Sequence, residues 1–159
     1  MADSSDHLTN ELHHGHDGGA LATAELPESY SPHAEEAFMN PLQLAYYRRK
    51  LLFWKDDILR EARETLATLQ SESLREPDVN DRASSETDWS IELRTRDRQR
   101  KLIAKIDAAL RRIVTGDYGY CEVTGEPISL QRLEARPIAT MTLEAQERHE
   151  RIEKVTRDE

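Results

Sequence analysis

Residues 121–125 read CEVTG. Cys121 stands where a zinc knuckle would begin, and a thiolate three positions on would complete a C-x-x-C pair. That position holds Thr124, and the chain has a single cysteine. A second pair at the same spacing falls at Thr142 and Ala145, at the start of a helical tail, and neither residue is a zinc ligand. His149 lies one turn past Ala145, but one thiolate and one imidazole make only half a site. No structural zinc is expected. Thr124 is expected to hydrogen-bond within its own turn and Thr142 to cap the tail helix. Packing of Tyr118, Tyr120, Val123, Ile128, Leu130, Leu133, Ile138 and Leu143 is expected to take over from the metal.

Two further groups carry chemistry through charge. Asp78 and Asp81 lie in the polar run PDVNDRASSETD, where carboxylates serve either as turn and cap residues or as a reactive tip. The run RTRDRQRK, residues 94–101, has five basic residues and one acidic one inside a chain of net charge -9. Such a run is either a solvated helix face or a docking surface whose arginines grip carboxylates or phosphates in a fixed fork.

Two long helices must position these groups. Asn40 followed by Pro41 is a helix start, an N-cap residue ahead of proline at the first helical position. Leu44, Tyr47, Leu51, Trp54, Ile58, Ala62, Leu66 and Leu69 then recur at spacings of three and four, close to a coiled-coil seam. A helix over 42–75 would reach about 50 Å. Pro77 stops it. A second helix, capped by Asp81 or by Ser85, is expected to end before Gly116, its main span from Asp88 to Val114 being roughly 40 Å long. Trp89, Leu93, Ile103, Ile106, Leu110 and Ile113 form its seam. A short polar link between two seamed helices predicts an antiparallel hairpin over 40–115 with its tip at 77–87. Residues 116–159 read as turns and short strands around Gly119, Gly125, Pro127 and Pro137, and then a helix. Met141 or Leu143, Ile152 and Val155 are its expected packing contacts. Residues 1–39 read as a weakly structured arm, part of or attached to this globular portion. Its His13, His14 and His16 are expected to belong to a polar tail, though they could hold a metal adventitiously. The fold class is mainly α: a long coiled-coil hairpin plus a small globular domain with a degenerate zinc-ribbon-like region and a C-terminal helix.

Composition bounds the partners. Of 159 residues, 37% are hydrophobic and 33% charged, which suits solvated helices with a narrow seam better than a thick core. Excess negative charge disfavours sequence-specific DNA binding except through a local basic patch. A lone cysteine fits a reducing cytoplasm, and no run approaches the ~18 apolar residues of a membrane span.

The stretches FMNPLQLAYYRRKLLFW, SIELRTRDRQRKLIAKIDAAL and GDYGYCEVTGEPISLQRLEARPIA resemble the DksA family of bacterial transcription regulators, over about residues 38–150. The resemblance extends to that family's cysteine-poor branch, because Cys121, Thr124, Thr142 and Ala145 stand in place of four cysteines. It implies a monomeric, non-enzymatic, cytoplasmic regulator that binds RNA polymerase and inserts its tip into the secondary channel. It implies that Asp78, Asp81 and Ala83 form the tip motif, and that Arg94, Arg98 and Lys101 dock on polymerase, Arg98 foremost. It also implies a change in promoter-complex stability together with the effector ppGpp, contacted by Lys105 and Arg136, with Gln146 where the family often has lysine. The alternatives are a Gre-like transcript-cleavage factor, whose tip carboxylates would hold Mg²⁺, and a zinc-finger-type nucleic-acid-binding protein.

Overall fold

The computed structural model describes residues 25–73 and 79–157. Among these residues four helices follow in order: α1 (Pro41–Ser73), α2 (Val79–Thr115), α3 (Leu130–Ala135) and α4 (Leu143–Arg157). No described helix is long and apolar enough to cross a membrane.

The start of α1 follows from its residue types. Asn40 Oδ1 accepts hydrogen bonds from the backbone N–H of Leu42 and Gln43 at 2.9 and 3.0 Å. Gln43 Oε1 reaches back to accept from Met39 N at 2.8 Å, so orphan donors on both sides of the cap are satisfied.

The two long helices pair into a hairpin. Leu44, Tyr47, Leu51 and Ile58 of α1 are buried in one cluster with Ile106, Ala109 and Ile113 of α2. Lys55 Nζ and Asp107 Oδ1 close 2.7 Å apart across the flank. The α2 seam departs from its expected course in one stretch. Leu93 is 61% exposed, while Glu92 is buried and takes the side-chain bond of Arg96 Nε at 3.2 Å. The reason is periodicity. Counting back by sevens from Ile113 gives Ile106, Gln99 and Glu92, and from Leu110 gives Ile103, Arg96 and Trp89. A strict heptad seam therefore runs through three polar residues, and Leu93 falls outside it. Gln99 Oε1, in this polar stretch, is buried without a hydrogen-bond partner among the described residues.

The start of α2 also differs from expectation. The helix is already formed at Val79, so Asp81 and Ser85 lie inside it and neither is its N-cap. No glycine or proline separates Val79 from the seam, and Arg82, Ala83 and Glu86 tolerate helix well, so the long pairing partner carries the helix into what reads as a polar linker.

Past α2 the chain turns sharply. Gly116 has φ 83°, and Asp117 N donates to Arg112 O at 2.9 Å, the left-handed exit that glycine permits at C′. The expected short strands reduce, among the described residues, to one isolated antiparallel bridge between Tyr120 and Pro127. Pro127 has no N–H to extend a ladder. Tyr118, Cys121, Ile128, Leu133 and Ala145 complete the core begun by the hairpin, so the core sits at the base of the hairpin. Val123, by contrast, is exposed.

Residues 25–40 form turns without helix, yet they are pinned to the body. Phe38 stacks edge-on to Tyr120 with centroids 5.3 Å apart, and Tyr30 lies edge-on to Tyr46 at 6.1 Å. Met39 presses on Gly119, where a Cβ would lie 2.8 Å from Met39 Cγ.

Helix α4 is capped by Thr142, whose Oγ1 accepts from Ala145 N at 3.3 Å. Ala145 is the one residue that α4 buries in the core. Leu143, Ile152 and Val155 are exposed, contrary to expectation, and Met141 packs instead. The helix leaves the body after its first turn, so residues farther along find nothing to pack on.

Candidate functional site

The candidate residues fall in three places along the chain. Of the expected tip residues, Asp78 lies outside the described residues. The backbone of Asp81 and Ala83 belongs to the opening turns of α2.

Farther down, the basic run divides by helix geometry. Arg96 turns into the seam to meet Glu92. Arg94, Arg98 and Lys101 stand at i, i+4 and i+7 and share the face turned away from α1, where all three are exposed. Lys101 Nζ and Arg100 Nη2 hold Asp97 at 2.8 and 2.9 Å, and these bonds keep the Asp97 carboxyl below the ordinary carboxylate range. Arg98 Nη2 donates only to Thr95 Oγ1, at 3.3 Å, so its charge meets no carboxylate of the described chain. Ile91 and Leu93 line a shallow groove with Arg94, Asp97 and Arg98. Neither apolar residue stood out in the sequence as part of a surface, because Leu93 reads as seam. The heptad counted back from Ile113 excludes it from the seam and is the signal that finds it. Arginine beside exposed aliphatic side chains is the composition of a protein-binding surface.

At the base, residues far apart in sequence meet around a cavity of about 290 Å³. Lys105 of α2, Arg132 of α3, Arg136 just after it and Gln146 of α4 all line it. The expected pair Lys105 and Arg136 is thus brought together. Arg112 also reaches the cavity but is committed to the fold. Its guanidinium pairs with Glu122 and donates to Asp117 O at 3.0 Å and Tyr120 O at 2.6 Å. Such a fork ties the end of α2 to the turn that follows.

The Cys121 turn lies against this region. Cys121 N donates to Glu126 O at 2.8 Å, Gly125 N donates back to Cys121 O at 2.9 Å, and Thr124 Oγ1 accepts from Glu126 N at 3.3 Å. The thiol is buried, which raises its pKa. Hydrogen bonds from the Thr124 side chain and from the backbone of Thr142, Thr124 and Val123 outweigh that and bring it down from 9.0 to about 7. The donor set does not fit zinc: Ala145 offers no ligand atom, and the hydroxyls of Thr124 and Thr142 already accept backbone bonds.

Comparison with known proteins places this arrangement. Residues 43–113 match the family described as the N-terminal domain of DnaK suppressor protein DksA. Residues 116–151 match the prokaryotic dksA/traR C4-type zinc finger, here with one of the four cysteines. An RNA polymerase-binding transcription factor DksA from Caulobacter vibrioides is 65% identical over 130 residues, covering 82% of this chain and 92% of the relative. The protein of that name from Escherichia coli K12 is 43% identical over 117 residues, 74% of this chain and 78% of its own. The solved structure of transcription factor DksA2 from Pseudomonas aeruginosa superposes with a TM-score of 0.69 at 37% identity, over 86% of this chain and 98% of that one. With both halves of the molecule matched and the hairpin-plus-body fold shared, the chain belongs to the DksA family.

Proposed function

We propose that this protein regulates transcription by binding RNA polymerase directly through the outer face of its hairpin. The observation that carries the reading is the 65% identity, over most of both chains, to a relative named as an RNA polymerase-binding transcription factor. Its support in this chain is the exposed Arg94, Arg98 and Lys101 face beside Ile91 and Leu93. The body anchors the hairpin base while the tip, with Asp78, Asp81 and Ala83, enters the secondary channel and changes the lifetime of promoter complexes. The protein acts as a monomer in the cytoplasm, performs no catalysis and needs no zinc. The nucleotide ppGpp strengthens the effect by bridging polymerase and the base cavity, where Lys105 and Arg136 supply cations for its phosphates. Recognition of specific DNA has no part in it, since a chain of net charge -9 repels the duplex.

The test is transcription in vitro from a ribosomal RNA promoter, with and without the protein and with and without ppGpp. The expected result is a change in promoter-complex lifetime that deepens when ppGpp is added. No change under either condition would overturn the reading. Cleavage of backtracked transcripts without an effect on promoter complexes would replace it with the transcript-cleavage function.

A further inference from the structure

The base cavity holds a cation that neither composition nor spacing singles out. Arg132 is half-buried, and its Nε donates to Met141 O at 2.9 Å. That bond fixes the plane of the guanidinium, and among the described residues its two terminal nitrogens have no protein partner. Arg132 and Arg136 stand four residues apart, where like charges repel. Among the described residues the only carboxylate lining the cavity, Glu122, is already paired with Arg112. Gln146 is committed as well, its Nε2 donating to Glu150 Oε1 at 2.8 Å. Lys105, Arg132 and Arg136 are therefore three cations around one concavity without an anion of their own, in a chain that is acidic overall.

We infer that Arg132 is a specificity-determining residue of this cavity, its fork gripping a phosphate of a nucleotide diphosphate group alongside Lys105 and Arg136. The inference rests on the reading of the cavity as the ppGpp contact and adds the residue that reading lacks. Guanidinium matches phosphate oxygens in a bidentate fork, and a guanidinium already oriented by one bond to the backbone loses little freedom on binding. Arg112, held by three bonds of its own, is a positioning residue that keeps the cavity wall in place.

The experiment measures the ppGpp concentration giving half the maximal effect on promoter-complex lifetime, using the full chain with RNA polymerase. Each variant is normalised to its own effect without ppGpp. Arg132→Ala should raise that concentration about tenfold, the loss expected for one charge-assisted hydrogen bond. Arg132→Lys, which keeps charge without the fork, should raise it less. Adding Gln146→Lys to Arg132→Ala returns a cation to the same cavity and should recover much of the response. An unchanged response in Arg132→Ala, with the response lost in Lys105→Ala and Arg136→Ala, would overturn the inference and leave the cavity assignment standing. Unchanged responses in all three single variants would overturn the cavity assignment and the inference together. A loss in Arg132→Ala that Gln146→Lys does not recover, with a lowered melting temperature, would make Arg132 a purely structural partner of Met141.

Discussion

Thr142 shows how much a single residue type can reveal. A threonine just ahead of a charged helical stretch reads as a cap, and its Oγ1 does accept from Ala145 N. Thr142→Ala should destabilise the protein by about 1 kcal/mol, as loss of a cap does, and urea unfolding would show it. Cys121 carries information that the sequence could not. Its position resembles a metal ligand, but its thiol is brought to about 7 by donors that only the folded turn assembles. The folded pKa is below the ordinary value, so the stabilisation is fully present only above the unfolded pKa. It is lost as pH falls through about 7. Unfolding free energy should therefore rise between pH 7 and 9 relative to Cys121→Ser. Parallel pH profiles for the two proteins would contradict the assigned hydrogen bonds.

Among the elements, the helices were legible where apolar residues recur without a gap. Leu44 through Ile58 announced the α1 seam, and four of its members are buried. The second seam was legible only from Ile103 onward. Between Trp89 and Ile103 the heptad positions are Glu92, Arg96 and Gln99, and polar residues give an apolar count nothing to follow. The helix start was hidden too, because Asp and Ser near Val79 are equally good caps and turn residues. Gln99 is a weak point of the hairpin, with a buried amide oxygen that has no partner among the described residues. Gln99→Leu should stabilise the hairpin by about 1 kcal/mol, since an apolar side chain of similar size leaves no orphan acceptor. An unchanged or lowered denaturation midpoint would mean that the amide is satisfied in solution. On the outer face, Arg98→Glu should weaken polymerase binding with little change in helicity, and wild-type binding should weaken with added salt. Normal binding by Arg98→Glu would move the docking surface elsewhere.

At the scale of the molecule, the sequence indicated a hairpin on a small body but not how the body is closed. Gly119 and Met39 lie far apart in the chain, and only the fold brings them into contact. The base cavity likewise joins Lys105 to Arg132 and Arg136, residues that no local pattern relates. In the reading proposed above, this arrangement separates the working parts by distance: core, cavity and Cys121 turn at the base, the basic face along α2, and the opening turns of α2 beyond it. Separation makes a prediction about Asp81. Its backbone lies within α2 and not at the N-cap position, and asparagine keeps the size and shape of the side chain. Exchanging carboxylate for amide in the first turn alters the dipole interaction by only about 0.3–1 kcal/mol, against a hairpin held by a buried seam. The basic face and the body stay intact. If the tip acts through its charge, Asp81→Asn should keep its melting temperature and its affinity for polymerase while losing its effect on promoter-complex lifetime. Full regulatory activity would return Asp81 to a structural part. Loss of affinity in step with activity would make the tip an anchor, and the separation of binding from action would fail.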